Sequence, residues 1–452
     1  MNRIEPRTLK GFRDYLPEIM IPRERCMETA RSVFRRYGFA PIDTPTLEYL
    51  EILTGKGSEE TDRQMYRFTD HGGREVGMRF DLTVPLARFA AQHLQSLGTP
   101  FKRYHIAPVW RGESPQAGRF REFIQCDFDT IGTDSVVADI EILTVIDDLM
   151  RSLGITRFKI HLNNRQVLSG LLEQLRLSHL SVPILRSLDK LPKLGYEGTV
   201  AEMSSSAGIT DLQAKAVLRL AESRGSNAEI LAALPEITGH QPLALAGIAR
   251  LQAILHGAEV AGVSLDHLRV DVGIARGLDY YTGVVFETFL DQEPSIGSVC
   301  SGGRYDNLAD LYTRQHLPGV GASLGLDRLL AALEKLGLLP PGRTPAPVFI
   351  PFFDPLHLDD YLAMATAVRG AGIGCELYPE AKKLGQQLKY ADSRGFHLAL
   401  IAGSEELARG IIQVKNLRTK ISTTVTYSRD QSTALLSAVE QMLQLSMETL
   451  LA

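Results

Sequence analysis

The stretch RYHIAPVWRGESPQAGRFREFIQCDFDT, residues 103–130, decides the fold prediction. Residues 103–110 and 121–130 are rich in the aromatic and β-branched residues that are typical of strands. The segment between them, RGESPQAGR (111–119), contains Gly, Ser and Pro and therefore predicts a long loop. Because such a loop returns the chain beside itself, we predict an antiparallel strand pair at the centre of the protein.

Further strand and helix patterns surround this hairpin. Strand patterns occur at 39–45, 74–80, 268–273, 281–290 and 297–301, and helical spacing of apolar residues marks 23–37, 139–153 and 323–339. Residues 168–262 differ because they are rich in Leu and Ala, with helical spacing and few strand signals. The patterns together predict an α+β core with an antiparallel sheet, interrupted by a helical insertion.

Two adjacent prolines, Pro340 and Pro341, end the last helical pattern of this core. Beyond them, short strand candidates alternate with helical stretches, which predicts a small α/β domain with a largely buried mixed sheet. We therefore divide the chain into 1–165 (first part of the core), 166–263 (helical insertion), 264–340 (second part of the core) and 345–452 (C-terminal α/β domain).

The composition is that of an ordinary globular protein. A chain of 452 residues suggests about three domains, and 44% hydrophobic with 23% charged residues excludes wholesale disorder. The formal net charge of −4 gives no overall signal for nucleic acid. No window reaches the roughly 18 uninterrupted apolar residues of a membrane span. The first residues, MNRIEPRTLKGFRDY, lack the apolar segment of a secretory signal, so we expect neither export nor membrane insertion.

The cysteines and the absence of common catalytic motifs narrow the chemistry. Cys26, Cys126, Cys300 and Cys375 are scattered and form no CxxC pair, so neither a zinc knuckle nor a disulfide framework is indicated. A reducing, cytoplasmic setting fits this pattern best. The sequence has no GxxxxGK[ST], HExxH or GxSxG motif and no metal-spaced histidine pair, which disfavours a P-loop nucleotide enzyme and a dedicated metal site.

Cations are concentrated in the hairpin. Residues 101–121 contain Lys102, Arg103, Arg111, Arg119 and Arg121 against the acid Glu113. If the return strand has begun by residue 119, Arg119 and Arg121 face the same side. Paired guanidinium groups suit a di- or triphosphate, because each offers planar bidentate donors. A solvated hairpin with surface salt bridges explains the same charges equally well.

The segment IARGLDYYTGVVFE (274–287) combines an arginine, glycines, an acid and two tyrosines. Tyr280 and Tyr281 enter a predicted strand, so they should face opposite sides, with at most one in the plain core. Two other segments, 299–308 and 319–330, place glycines ahead of an arginine. Those glycines allow close approach of the backbone to a flat ligand, although turns and helix packing also account for them.

Together these segments resemble the histidyl-tRNA synthetases, a family of class II aminoacyl-tRNA synthetases. The matching segments are KGFRDYLP (10–17), 38–45 (similar to motif 1), RGESPQAGRFREF (111–123, motif 2), ARGLDYYTG (275–283, the histidine-specific signature), GASLGLDRL (321–329, motif 3) and LIAGSEELARGIIQVKNLRT (400–419, the anticodon-binding domain). The resemblance covers essentially the whole chain. The sequence QCDFDTIG (125–132) is more similar to that of the eukaryotic and archaeal branch of the family than to the common bacterial form.

The resemblance implies roles for particular residues. Histidine would be bound by Asp81, Leu82, Thr83, Arg111, Gln125, Asp129, Arg276, Tyr280 and Tyr281. ATP would be held by Arg111, Glu113 and Arg328, and the acceptor end of the tRNA by Gln116 and Arg119. Arg111 and Arg276 would be the catalytic residues, acting on the α-phosphate from two sides. Mg²⁺ is expected to arrive with ATP, without a metal site built from protein alone.

The implied activity is that of a histidine–tRNA ligase. Histidine and ATP would form histidyl-adenylate and pyrophosphate, and the histidyl group would then pass to the 3′ end of histidine tRNA. A cytoplasmic homodimer joined through the motif 1 region is implied as well. The main alternative is the paralogue that serves as regulatory subunit of ATP phosphoribosyltransferase, which binds histidine and charges no tRNA. The intact RGLDYYTG and the added C-terminal domain argue against it. A synthetase-like sensor domain of a stress kinase is a third class, but no kinase signature accompanies it.

Overall fold

The computed structural model describes residues 3–54, 59–115, 118–274, 280–339 and 343–451. These residues form two compact units. The first comprises the chain up to Arg13 together with Arg25–Leu339, and the second comprises Asp14–Glu24 together with the chain from residue 343 onward.

The first unit is built on an eight-stranded sheet and a separate three-stranded sheet. Its strands are β1 (Ala40–Pro41), β2 (Leu47–Tyr49), β3 (Arg67–Thr69), β4 (Glu75–Met78), β5 (Phe101–Trp110), β6 (Glu122–Ile131), β7 (Phe158–Asn164), β8 (Leu268–Val270), β9 (Val284–Leu290), β10 (Cys300–Tyr305) and β11 (Gly319–Gly325). The large sheet has the order β1-β5-β6-β11-β10-β9-β7-β8. Only the outermost pairs, β1 with β5 and β7 with β8, are parallel in this described sheet. The predicted antiparallel core is therefore confirmed.

Helices precede, connect and follow these strands along the chain. They are α1 (Pro17–Arg36), α2 (Leu50–Thr54), α3 (Glu59–Gln64), α4 (Thr83–Leu97), α5 (Val136–Ser152), α6 (Arg165–Gln174), α7 (Ser181–Leu188), α8 (Leu191–Ala207), α9 (Asp211–Ala221), α10 (Asn227–Ile237), α11 (Pro242–Val260) and α12 (Leu326–Lys335). Helices α6 to α11 follow one another between β7 and β8, as expected for the helical insertion. Capping boxes explain where two of them begin, because Thr210 with Gln213 and Ser226 with Glu229 satisfy the first backbone N–H groups.

Helix α11 has an unusually apolar composition. Among the described residues it is the one helix that could cross a membrane by length and composition alone. It packs against α5 and α6, with Leu251 and Ile254 buried, and Arg250 Nε donates to Asp139 on α5 at 2.6 Å. Core helices of globular proteins have these same properties, so the composition by itself is weak evidence for a membrane.

Among the predicted element boundaries that were wrong, three lie near the arginine- and glycine-containing segments. The helix expected from residue 323 begins at Leu326, because Gly319–Gly325 form β11, where a Cβ on Gly321 would lie 2.0 Å from Asp129 Oδ1. The strand expected from residue 281 begins at Val284, since the backbone before it is bonded elsewhere, with Thr282 N donating to Arg304 O at 2.8 Å. The strand expected at 297–301 is Cys300–Tyr305.

The second unit contains a five-stranded mixed sheet. Its elements are β12 (Val348–Ile350), α13 (Leu358–Gly370), β13 (Cys375–Leu377), α14 (Leu384–Arg394), β14 (Leu398–Ile401), α15 (Ser404–Ala408), β15 (Ile411–Asn416), β16 (Ser422–Thr426) and α16 (Thr433–Leu451). The order is β13-β12-β14-β15-β16, with the first three strands parallel and the rest antiparallel. Val348 and Ile350 pack on one face and Phe349 on the other, so both faces are buried. The predicted α/β domain is confirmed.

Candidate active site

Arg111 leaves the end of β5 and is held against the sheet by its neighbours. Its Nε donates to Phe80 O at 3.1 Å, and its guanidinium lies over the rings of Phe80 (4.4 Å) and Phe123 (5.1 Å). Burial lowers the pKa of Arg111 from its ordinary value, while Asp81 and Glu113 act in the opposite direction. An arginine remains charged under such a shift, so the site keeps a positioned cation.

A cleft with a cavity of about 130 Å³ opens beside Arg111. Its lining includes the residues that the sequence assigned to ATP, namely Arg111, Glu113 and Arg328, together with Arg119 and Gln125. Arg328 lies in the first turn of α12, where its Nη1 donates to Ser298 O at 2.5 Å. Three arginines, two from the β5–β6 loop and one from α12, thus converge on one cleft, which favours an anionic ligand.

Arg119 and Arg121 do not point together, because β6 begins only at Glu122 and the condition for their facing the same side is therefore not met. Arg119 faces the cleft, 3.7 Å from the Glu113 carboxylate. Arg121 turns away and donates to Glu113 O (3.2 Å) and Lys10 O (3.3 Å). The N-terminal segment packs there, because Arg121 N also donates to Gly11 O, and a Cβ on Gly11 would lie 2.7 Å from Arg121 Cδ.

Three polar residues alternate along β6 and therefore share one face of the sheet: Gln125, Asp127 and Asp129. Asp129 is an ion-pair partner of the fully buried Arg103, with Oδ2 2.9 Å from Arg103 Nη2. Its Oδ1 accepts a hydrogen bond of 2.6 Å from Tyr305 Oη. Burial raises the pKa of Asp129, and raises that of Asp127 to about 7, although Arg103 lowers both.

The segment Asp81–Thr83 forms the turn that starts α4. Asp81 Oδ1 accepts from the backbone N–H groups of Thr83 (3.0 Å) and Val84 (2.9 Å), and burial raises its pKa. The Leu82 side chain is fully buried and packs with Ala107 and Val109 rather than lining an opening. The Leu82 carbonyl accepts from Arg103 Nη2 at 3.2 Å, so Arg103 ties this turn to Asp129.

Tyr280 and Tyr281 lie in one aromatic cluster rather than on opposite sides of a strand. Their rings meet edge to face at 5.1 Å, and the rings of Tyr280 and Tyr305 are 6.0 Å apart. Tyr280 belongs to a buried cluster that also contains Ala87 of α4, and Tyr281 packs against that cluster. The expectation of opposite sides was wrong because the strand β9 begins only at Val284. Burial raises the pKa of both hydroxyls well above the ordinary tyrosine value.

Two residues of the predicted site, Arg276 and Gln116, lie outside the described residues. The sequence patterns did not indicate three further residues of the site: Arg103, Asp127 and Tyr305. Asp127 could have been found, because it alternates with Gln125 and Asp129 on a confidently predicted strand. Arg103 could have been found as well, because it lies directly opposite Asp129 in the predicted β5–β6 hairpin. Tyr305 could not, since β10 comes from a distant part of the chain and is separated from β6 by β11.

An antiparallel sheet that presents arginines from a β5–β6 loop and from the helix after β11 is the catalytic architecture of class II aminoacyl-tRNA synthetases. Comparison with known proteins gives the particular family. The profile of histidyl-tRNA synthetase matches residues 11–329, and that of an anticodon binding domain matches residues 348–437. The chain belongs to the histidyl-tRNA synthetase family.

Individual relatives agree with this assignment. A histidine–tRNA ligase from Rhodopirellula baltica is 68% identical over 437 residues, covering 97% of this chain and 99% of the relative. The crystal structure of histidyl-tRNA synthetase from Nostoc sp. PCC 7120 has a TM-score of 0.85 and 32% identity, covering 94% of this chain and 97% of its own. A structure from Bacillus halodurans C, described as an ATP phosphoribosyltransferase regulatory subunit/histidyl-tRNA synthetase, has a TM-score of 0.72, but its 22% identity shows only a shared fold. It covers 86% of this chain and 97% of its own. These similarities support histidine–tRNA ligase function over the regulatory role.

Proposed function

We propose that the chain ligates histidine to tRNA through the cleft beside Arg111, using ATP to form histidyl-adenylate first. The observation that carries this proposal is the convergence of Arg111, Arg119 and Arg328 on a cleft that Gln125 also lines. Histidine would occupy the side nearest Gln125 and Asp129. The triphosphate would occupy the side nearest the arginines, because guanidinium groups bind phosphate oxygens bidentately.

In the first step, a histidine carboxylate oxygen attacks the α-phosphorus of ATP in line, and the bond to the β-phosphate oxygen breaks to release pyrophosphate. The nucleophile is already an anion, so the protein needs no general base for this step. Catalysis then consists of positioning and charge stabilisation. The Phe80 carbonyl and two aromatic rings fix Arg111 for that purpose, and we assign Arg276 the same task from the other side.

Recognition of histidine is assigned to the polar residues behind the cleft. We propose that Asp81 and Thr83 hold the α-ammonium group, and that Asp129 with Tyr280 and Tyr281 orients the imidazole ring. A carboxylate that is held by Arg103 and Tyr305 cannot swing away, so its distance to a ring N–H is set in advance. Leu82 contributes its backbone and its packing rather than a polar contact.

Mg²⁺ belongs with the nucleotide in this proposal. The described residues include no group of three or more His, Cys, Asp or Glu side chains that could hold a metal ion. ATP carries its own phosphate oxygens as magnesium ligands, and Glu113 lies in the cleft where it can bind either the nucleotide or that ion. Gln116 and Arg119 remain the candidates for contact with the acceptor end of the tRNA.

We further propose a homodimer joined through the motif 1 region, acting in the cytoplasm without a membrane. The domain limits 1–165, 166–263, 264–340 and 345–452 stay a proposal as well. The family match over residues 348–437 supports assigning anticodon binding to the second unit. Sedimentation at micromolar concentration tests the dimer, and a fully active monomer would contradict it.

Exchange of labelled pyrophosphate into ATP, without tRNA, tests the activity itself. We expect exchange that depends on histidine, with lysine as the control amino acid. Binding of histidine without any exchange would instead support the regulatory paralogue. The matched profile of an anticodon binding domain favours the ligase in advance.

A further inference from the structure

The side-chain amide of Gln125 has one end fixed and the other end available. Its Nε2 donates to Ser323 Oγ at 3.1 Å. Its Oε1 is enclosed by protein and accepts no hydrogen bond from any residue that the structure describes. Gln125 and Ser323 both line the cleft. A buried carbonyl oxygen without a donor is costly, so this atom is suited to a donor that a ligand supplies.

The register of the sheet explains why the amide points this way. Ser323 on β11 lies directly opposite Asp127 on β6, and Gln125 is the next residue along the same face of β6. Ser323 therefore faces Asp127 across the strand pair, and hydrogen bonding by its hydroxyl lowers the pKa of the Asp127 carboxyl. A serine hydroxyl has one hydrogen, and the ionised carboxylate of Asp127, the form that prevails above its pKa of about 7, accepts it. Only lone pairs then remain toward Gln125, so the hydroxyl must meet the N–H end of the amide rather than its carbonyl.

Asp127 is itself held in place. Its Oδ2 lies 3.8 Å from Nη2 of Arg103, the same nitrogen that contacts Asp129. Arg103 and both carboxylates are almost completely buried. The carboxylate that sets the direction of the Ser323 hydroxyl is therefore anchored in the core of the sheet.

We propose that Asp127 and Ser323 are positioning residues that turn the Gln125 amide so that its Oε1 faces the α-ammonium group of bound histidine. This proposal rests on the histidine activation proposed above. Histidine brings two charged groups to the cleft. Its carboxylate is drawn to the guanidinium of Arg111 and repelled by a carbonyl oxygen. Its ammonium group has three donors and no acceptor, which is what Oε1 requires.

We call the orientation of the Gln125 amide by Asp127 and Ser323 the relay. A double-mutant cycle separates this relay from a merely structural role of Ser323. Ser323→Ala should raise the KM for histidine by about fivefold to tenfold, because the amide can then rotate, while the KM for ATP stays unchanged. In a Gln125→Ala background the same Ser323→Ala change should have an effect below about twofold, since no amide remains to be oriented. Ser323→Thr restores the hydroxyl and should recover the wild-type KM.

Two inhibitors identify the group that Oε1 contacts. Histidinol keeps the ammonium group, so Ser323→Ala should raise its inhibition constant by the same factor by which it raises the KM for histidine. Imidazolepropionate lacks the ammonium group, so its inhibition should not change. Thr288→Val is the matched control, because it removes a buried hydroxyl from β9 of the same sheet at a residue that does not line the cleft.

Equal effects of Ser323→Ala in the two backgrounds, or an unchanged KM for histidine, would overturn the relay. Calorimetric binding of histidine to the same variants provides a readout that does not require exchange. If wild-type protein shows no exchange, the proposed function fails, and the relay is then decided by the binding affinities alone.

Discussion

Replacing Arg103 by methionine should destabilise the first unit strongly, because Arg103 is the cation that Asp127 and Asp129 share. Its Nη2 lies 2.9 Å from Asp129 and 3.8 Å from Asp127, and the arginine side chain is 0% exposed. Methionine keeps an unbranched apolar stem but ends short of the guanidinium nitrogens, so it removes the charge, its donors and the volume of that group. Removing one partner of a buried ion pair costs about 3–5 kcal/mol, and here two carboxylates lose their partner at about pH 8.

The free energy of unfolding that Arg103→Met loses should become smaller as the pH falls. Burial already raises the pKa of both carboxyls, to about 7 for Asp127, and the attraction of Arg103 lowers them. Without Arg103 both values rise further. A carboxyl whose pKa is higher in the folded than in the unfolded protein takes up a proton on folding, so its destabilising effect is lost as the pH falls through the folded pKa. The effect of Arg103→Met should therefore be smaller at about pH 6 than at about pH 8.

The one tryptophan of the chain makes this measurable within the full protein. Trp110 ends β5, the strand that also carries Arg103, so its fluorescence in a urea titration reports the unfolding of that sheet. Arg74→Met is the control, because Arg74 pairs with Asp70 on the exposed surface and should cause little change. A loss below about 1 kcal/mol at pH 8, or one that does not depend on pH, would refute the reasoning.

Four other predictions concern the site and the second unit. Asp127→Asn should flatten the pH dependence of the free energy of unfolding between pH 3.8 and about pH 7. In this window the wild-type protein loses stability as the pH rises, because the folded carboxyl still holds a proton that the unfolded carboxyl has released. Urea titrations at several pH values measure the effect. Gly321→Ala should raise the KM for histidine and destabilise the sheet by about 1–3 kcal/mol, because its Cβ would lie 2.0 Å from Asp129 Oδ1. Arg276→Ala should slow adenylate formation by about 100- to 1000-fold with little effect on histidine binding; a quenched-flow rate within about threefold of wild type would make Arg276 structural. Protein ending at Leu339 should still form adenylate but lose tRNA charging, and loss of exchange in a folded truncated protein would contradict the division into domains.

The sequence predicted the elements well where local signals agree with the tertiary structure. The β5–β6 hairpin and the five strands of the second unit follow from apolar runs bounded by loops, and the structure has each of them. The segment before β9 was misjudged because Tyr280 and Tyr281 have high strand propensity. The backbone N–H of the next residue, Thr282, instead donates a hydrogen bond to Arg304 O, before β9 begins. Tertiary contacts of this kind override strand propensity.

The composition of the site was predictable only in part. Arg111, Glu113 and Arg328 were expected together, and the cleft contains all of them. Arg103 lies directly opposite Asp129 in the predicted β5–β6 hairpin, so the register of that hairpin predicts their ion pair. Tyr305 was not expected, because it reaches Asp129 from β10 through strand pairings that no local pattern specifies. Arg121 was misplaced for a similar reason, since its direction depends on the N-terminal segment that packs beside it.

The strand order has a consequence for how the protein is made. β6 pairs with β11 and β7 pairs with β9, so each of these two strand pairs of the large sheet joins strands from opposite sides of the helical insertion. When the ribosome has produced β5, β6 and β7, the acidic residues of β6 are present, but β11, which pairs with β6, and β9, which pairs with β7, have not yet been made. Asp127 and Asp129 then lack Ser323 and Gly321, the residues that lie opposite them on β11. A nascent chain shorter than about Gly325 cannot assemble the cleft. Histidine binding should therefore appear late in synthesis and all at once, after the insertion has folded and the last strand has entered the middle of the sheet.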